Sequence, residues 1–296
     1  MIDRDYTQES KLVKQLVQDV QHLSHTIGQR NLARPKGLAD AADWIEARFR
    51  ENGLDVERQT YEVRGVPCHN LIAEIRGITS PEQILIIGAH YDSAPGTPAA
   101  NDNGTGVAAM LALAEALKEH QPHRTLRWVA FVNEEPPYFQ TEDQMGSWVY
   151  ARACRRRGDE IVGVISLETM GYYSDEPKSQ QYPPPLDAIY PDTGNFIAFV
   201  GNQASRELVE HVYQTFRAHS DFPAEMGCFD ERLPGVGWSD HWSFWQEGYL
   251  GLMVTDTAPF RYPHYHLASD TSDKIDFVRL GRVVEGLVPV VKALCE

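Results

Sequence analysis

The sequence predicts an α/β fold: a mixed, largely parallel central sheet flanked by helices on both faces, making a three-layer sandwich. Three observations predict it. Apolar runs of strand length, Ile84 to Ile87, Thr125 to Val132 and Ile161 to Leu167, alternate with apolar-periodic segments of helix length. Each of these runs stops at acidic or histidine residues: His90-Tyr91-Asp92, Glu134-Glu135 and Glu168. Those polar groups therefore gather at one edge of one sheet, where open α/β sheets place their ligands.

Taken in order, Leu12, Val13, Leu16, Val17, Val20 and Leu23 recur at three- and four-residue intervals and predict a helix from about Gln8 to about Thr26. Ala39, Ala42, Trp44, Ile45 and Phe49 predict a second helix, stopped near Asn52-Gly53 by a C-terminal glycine. The period then shifts to two, giving strands at Val56 to Val63 and Asn70 to Ile75 ahead of the central strand at Ile84. After the strand at 125–132 come a helix at 146–157, the strand at 161–167, a strand at 196–200 and a helix at 204–218. A final strand at 251–254 and a helix at 276–294 close a single domain of residues 1–296. The stretch 175–194, with Pro177, Pro183-Pro184-Pro185 and Pro191, reads as a long surface loop, as apt to wall a pocket as to be a passive excursion.

The 296 residues, 42% hydrophobic and 23% charged, suffice for a substantial core. The formal charge of -15 argues against nucleic acid and anionic membrane as partners, since both demand basic patches. The charged start Met1-Ile2-Asp3-Arg4-Asp5 lacks the apolar core of a signal peptide, so the chain as given reads as cytoplasmic, an exported form with its leader removed staying open. Cys68, Cys154, Cys228 and Cys295 are scattered without CxxC spacing and read as inert buried thiols, or as a disulfide pair if the chain is exported.

The stretch His90-Tyr91-Asp92, followed by Asn101-Asp102-Asn103-Gly104-Thr105-Gly106, holds the most specific chemistry. A His-x-Asp pair alone is also compatible with a surface pair. The apolar run before it argues for burial, and buried imidazole and carboxylate need a compensating partner, for which a divalent cation is the most economical. Candidate ligands are His90, Asp102, Glu134, Glu135, Glu168, His264 and His266, a set of nitrogen and oxygen donors that suits zinc, with manganese or cobalt as substitutes. Adjacent glutamates diverge, so one of Glu134 and Glu135 can bind metal while the other handles a proton.

In this order, His-x-Asp, Asn-Asp-x-Gly-x-Gly, Glu-Glu, an acidic strand end, Ser-Asp-His and Tyr-His, the chain resembles the co-catalytic zinc aminopeptidases, whose relatives include glutamate carboxypeptidase and glutaminyl cyclases. The match spans about residues 70 to 280. The resemblance implies two zinc ions, a zinc-exopeptidase fold, and hydrolysis of peptides through a water shared by the ions. It makes Asp102 the bridging carboxylate, with His90 and Glu168 completing one site and Glu135 and His266 the other. Asp92 would orient His90, Glu134 would be the general base, and Tyr265 would steady the oxyanion or simply pack beside the ligand.

The chain departs from the commonest family pattern at Glu168, where aspartate is usual, and in the longer segment Pro136 to Asp143, expected to line the substrate pocket. Ser239-Asp240-His241 is expected near the site, with Asp240 supporting it or Ser239 or Asp240 capping a helix at 242–245. His264 reads as a rim residue, and His69, His120, His123, His211 and His219 as core or solvated. The acidic surroundings, Glu134, Glu168 and Glu142 or Asp143, favour a substrate with a free α-ammonium group, hence an aminopeptidase; Arg232 and Arg261 are the exceptions to weigh for a C-terminal carboxylate. The rival readings are a single-zinc glutaminyl cyclase and a non-catalytic peptide-binding relative.

Overall fold

The structure, a computed structural model, describes residues 10–296. Helix α1 (Lys11–Gln21) is capped by the Ser10 hydroxyl, which accepts the Val13 N–H, and continues as a wider turn through His22–Ile27. The expected start at Gln8 lies outside the described residues. Helix α2 (Pro35–Glu51) begins earlier than the apolar spacing predicts, because Pro35 can occupy the first turn, where no N–H is needed. It ends at Asn52-Gly53 as expected, Gly53 (φ +78°) adopting the left-handed conformation that lets the Leu54 N–H reach back to the Phe49 carbonyl.

Strands β1 (Val56–Val63) and β2 (Val66–Ile75) form a hairpin whose two-residue turn, Arg64-Gly65, has positive φ at both positions. That turn starts β2 four residues before the expected Asn70. Strand β3 (Ser80–His90) is followed by α3 (Gly106–Leu117), β4 (Arg124–Phe131), α4 (Gly146–Arg157) and β5 (Glu160–Glu168). Then come β6 (Ile197–Asn202), α5 (Arg206–His219), β7 (Ala224–Phe229), α6 (His241–Gln246), β8 (Gly251–Thr255), the short α7 (Ala258–Arg261) and α8 (Phe277–Cys295). Strand β7 has no counterpart in the sequence reading. Its Ala-Glu-Met-Gly-Cys-Phe holds no β-branched residue and no clean alternation.

One eight-stranded sheet results, in the order β1-β2-β4-β3-β5-β8-β6-β7. The central β4, β3, β5 and β8 are mutually parallel; the β1–β2 hairpin joins antiparallel to β4, and β6 antiparallel to β8. Helices α1, α2, α3, α5 and α8 contribute to the larger apolar core on one face, and α4 and α6 to a second cluster around Phe131, Tyr150 and Phe244 on the other. This is the mixed, largely parallel sandwich the sequence predicts. The parallel strands all deliver their carboxyl ends to one edge, so His90, the residues after Phe131, Glu168 and Thr255 emerge together.

The segment 175–194 contains no strand and only a single 3-10 turn at Leu186–Ala188. All four cysteines are free and buried. Among the described residues no helix is long and apolar enough to cross a membrane. The smaller cluster packs tightly at Gly88, where an added Cβ would stand 2.4 Å from the Phe131 ring. Gly88→Ala is therefore expected to cost about 1–3 kcal/mol, read as a lower urea midpoint with unchanged slope.

Candidate metal centre

The Nε2 atom of His90, at the end of β3, is the point on which one set of donors converges. It lies 3.3 Å from Asp102 Oδ1, 3.3 Å from Glu168 Oε2 and 3.8 Å from Glu134 Oε2. A second set meets at His266 Nε2, 3.1 Å from Asp102 Oδ2 and 3.0 Å from Glu135 Oε2. Two triads arise, His90-Asp102-Glu168 and Asp102-Glu135-His266, each with its ligand atoms close enough to hold one ion. Asp102 belongs to both, one oxygen turned toward each histidine.

The donor geometry fits metal better than mutual pairing. Both ring nitrogens of His90, Asp102 Oδ1 and His266 Nε2 are buried without a hydrogen bond of acceptable geometry, although their neighbours are near. Atoms that approach closely without pairing, and that share a focus, are arranged for a cation between them. The donors are imidazole nitrogens and carboxylate oxygens in a buried site, the chemistry zinc favours.

The charge balance says the same. Burial pushes Glu134 well above the ordinary carboxylate range, and it raises Glu168 and lifts Glu135 to about 8, with the Asp102 charge adding to the last. Burial opposes the ionisation of Asp102, but the adjacent His266 and His90 imidazoles hold it well below its usual value. Burial likewise opposes the two imidazolium ions; the surrounding carboxylates nevertheless raise His90 well above its ordinary value and His266 to about 10. Without cations, the cluster stays neutral only by retaining protons.

Each ligand is held from behind. The Asp92 carboxylate accepts the backbone N–H of Glu134 (3.0 Å) through Oδ1 and of Glu135 (3.1 Å) through Oδ2, while its Oδ1 lies 3.4 Å from His90 Nδ1. One acid thus orients the imidazole and fixes the glutamate pair, so Asp92 is a positioning residue. The segment Ala100–Thr105 is braced by its asparagines: Asn103 Nδ2 donates to the Leu167 carbonyl, and its Oδ1 accepts the N–H groups of Gly106 and Thr169. Asp102 is thereby tied to the end of β5, where Glu168 sits.

Ser239 adds a support beside Asp240, whose charge acts on Glu134, Glu168 and His90. The Ser239 hydroxyl donates to Glu168 Oε2 at 2.8 Å and contacts the Ser166 hydroxyl at 2.9 Å. Asp240 is fully buried, which raises it to about 7, and neither residue makes a side-chain cap on α6. His264 sits half-buried against the Ser269 hydroxyl, apart from both triads. The segment after Glu135 meets its expectation only in part. Glu142 and Asp143 are exposed and paired with Arg152, and Pro136, Pro137 and Tyr138 border a smaller recess beside Asp92. Arg232 is exposed and paired with Asp230, and the buried Arg261 donates to Gln180 Oε1 and the Phe196 carbonyl.

Two supporting residues escaped the sequence reading. Asp270 accepts the N–H of Asn101 at Oδ1 (2.8 Å) and of Asp102 at Oδ2 (3.1 Å), and the Tyr262 hydroxyl donates to its Oδ1. Arg30, fully buried, donates to the carbonyls of Tyr91, Pro98 and Ala99 at 2.7–2.8 Å, pinning both ends of the loop between His90 and Asp102. Neither lies in a recognisable motif. Their partners are backbone atoms, which sequence spacing does not reveal.

A cavity with about 760 Å³ of open space adjoins the centre. Glu168 and Tyr265 stand at one end, where Tyr265 stacks on His266 with 3.9 Å between ring centres. The walls are aromatic and come from the 175–194 segment, β7 and the residues around α7. The proline-rich stretch therefore walls a pocket, one of the two roles its length allowed.

A parallel sheet edge presenting two donor triads joined by one carboxylate is the architecture of a metal-dependent hydrolase. The chain belongs to peptidase family M28, whose family model matches residues 70–291. It is 35% identical over 93% of its length, and 86% of the relative's, to a protein of Escherichia coli (strain K12) named "Uncharacterized protein YfbL". Its fold is similar to that of BSAP, a zinc aminopeptidase from Bacillus subtilis (TM-score 0.72, 15% identity, 94% of each chain). It is equally similar to that of a glutaminyl cyclase from Fimbriiglobus ruber (TM-score 0.72, 23% identity, 95% of this chain and 94% of the other).

Two expected outcomes follow from this geometry. Asp270→Ala frees the N–H groups that hold Asp102 and should weaken zinc binding about 10- to 100-fold, measured by competition with a chromophoric chelator. The zinc-free protein should also lose stability as pH rises. The glutamates, raised above their unfolded values by burial, hold protons in the folded state that the unfolded chain releases near its ordinary carboxylate pKa. His90 and His266 do the same above the ordinary histidine pKa. The folded state binds more protons throughout, so Tm of the zinc-free protein should fall from about pH 5 to about pH 9, and zinc should flatten that slope.

Proposed function

We propose that this zinc metallopeptidase is an aminopeptidase that binds two zinc ions and removes N-terminal residues from peptides with a free α-amino group. The observation that supports it most is the sharing of Asp102 by two donor triads with Glu134 standing free beside them. His90, Asp102 and Glu168 would hold one ion, and Asp102, Glu135 and His266 the other. Zinc bound there supplies a Lewis acid that polarises the scissile carbonyl and acidifies the attacking water.

The remaining work falls to the chain's own groups. Glu134 belongs to neither triad, and its backbone is fixed by Asp92, so its carboxylate is positioned for proton transfer rather than ligation. Burial raises its proton affinity above that of an ordinary carboxylate. It takes the proton of the attacking water and returns it to the leaving amine. Tyr265, which lines the cavity, offers its phenol O–H to the developing oxyanion. The α-ammonium group of the substrate faces Glu134 and Glu168, two buried carboxylates with no lysine or arginine among the residues lining the cavity. A C-terminal carboxylate would find no cation there. A single-zinc cyclase would leave one of the two triads without an ion.

Glu134→Gln should lower kcat on aminoacyl p-nitroanilides by about 10²- to 10⁴-fold while two zinc ions per chain remain bound, checked by steady-state kinetics and metal analysis on the same preparation. N-acetylated substrates should be refused by the wild type. Equal cleavage of free and blocked substrates would sink the aminopeptidase reading, and full activity with one ion would favour the cyclase.

A further inference from the structure

Four residues stand in one row across the sheet. Glu168 on β5 pairs with Thr255 on β8, Thr255 with Ala198 on β6, and Ala198 with Glu225 on β7. Directly paired residues share a face, so all four side chains point the same way, and all four line the large cavity. The two inner residues are small, which makes the row a floor with a carboxylate at each end. At three strand spacings the two glutamate backbones are roughly 14 Å apart. Glu168 belongs to the metal centre, and Glu225 stands at the far end of the same trough.

The walls above this floor are aromatic: Tyr182 and Tyr190 from the proline-rich segment, Phe229 from β7, and Trp238 stacked near Phe260. Tyr182 and Tyr190 spend their hydroxyls on the Pro191 and Met226 carbonyls, which leaves ring surface for a guest. Among the described residues no hydrogen bond or ion pair holds the Glu225 carboxylate, although it is half-buried; Arg217 acts on it only from a distance. The cavity lining contains no lysine or arginine. A lone carboxylate in an aromatic enclosure is costly to desolvate, and a cation arriving with an apolar stem would relieve that cost and use the ring faces.

We infer that this trough receives the side chain of the substrate's N-terminal residue and selects a long cationic one, lysine or arginine, with Glu225 as the specificity-determining residue at its far end. The inference rests on the aminopeptidase reading, since that reading places the scissile bond at the Glu168 end. The stem of the side chain lies over Thr255 and Ala198 between the aromatic walls, and the ammonium or guanidinium meets Glu225. A bulky apolar residue fits the walls but leaves the carboxylate unanswered.

The test compares lysine with norleucine, which has the same straight stem without the charge. On p-nitroanilides of the two, the zinc-loaded wild type should show kcat/KM at least about tenfold higher for lysine, and Glu225→Gln should bring the ratio toward one. Norleucine preferred by the wild type, or an unchanged ratio in Glu225→Gln, would overturn the inference. Trp238 in the wall gives a readout independent of turnover: titration with L-lysinamide and L-norleucinamide, followed by tryptophan fluorescence. If neither anilide is hydrolysed, the aminopeptidase reading fails. Tighter lysinamide binding that is lost in Glu225→Gln would still support a cation-selective trough, and equal binding of the two amides would refute it.

Discussion

The structure depends on the carboxylate of Asp102 being held between two imidazoles at the edge of a parallel sheet. One oxygen faces His90 and the other His266, and these come from opposite halves of the chain. A side chain with two partners at about hydrogen-bonding range has little freedom to move without losing one of them. The surrounding architecture keeps its backbone still: Asp270 takes its N–H, Asn103 ties its neighbour to the end of β5, and Arg30 pins the loop that leads to it. The peptide bond from Asp102 to Asn103 is cis. Most of the polar side chains near the centre hold the backbone of a ligand-bearing loop, so the ligand atoms stay free for their common foci.

Placing the centre at a sheet edge also decides where a substrate can lie. Strands β6 and β7 extend the sheet beyond β8, and the row from Glu168 to Glu225 runs along that extension. The parallel core therefore supplies the chemistry, and the added strands supply a floor next to it. The proline-rich segment folds over that floor without regular structure of its own. Its tyrosines are fixed through their hydroxyls and their mutual ring contact, which gives a wall its shape without a helix or strand behind it. Prolines suit such a wall, since each fixes a backbone angle and removes a donor that would otherwise need a partner.

Much of this was legible in the sequence, and the failures have identifiable causes. Buried parallel strands are continuous apolar runs with polar ends, so β3, β4 and β5 and the residues at their tips could be read directly. The eight singled-out residues, Asp92 among them as a support, come from four separate stretches, and the structure gathers them around one centre. What could not be read was anything built on backbone atoms or on tertiary position. Strand β7 has no β-branched residue and no clean alternation, and with it the sequence hid Glu225. Arg30 and Asp270 address carbonyls and N–H groups whose positions exist only in the fold. Ser239 was underweighted for a similar reason: the sequence does not tell that its hydroxyl, beside the buried Asp240, reaches Glu168. Glu142 and Asp143 misled because acids close in sequence to a ligand need not be close in space; Arg152 draws them outward.

The backbone at the centre adds a last constraint. Asn133, just before the glutamate pair, Thr169, just after Glu168, and His266 itself all have positive φ (60°, 43° and 56°) without being glycine. Such conformations cost on the order of 1–3 kcal/mol each and persist only where the surroundings over-determine them. Here the surroundings do so: Asn133 Nδ2 lies within reach of the Gln144 carbonyl and Cys68 Sγ, and Thr169 donates its N–H to Asn103 and meets the Thr255 hydroxyl. The same loops crowd three buried glutamates and an aspartate together. Strain and like-charge repulsion thus act against the fold at one place, while the rest of the sheet and both apolar cores act for it. A cation at each focus offsets the repulsive part, so folding free energy and metal affinity are linked through the same side chains. In such a centre the supports that hold the loops and a metal that joins their side chains favour the same arrangement.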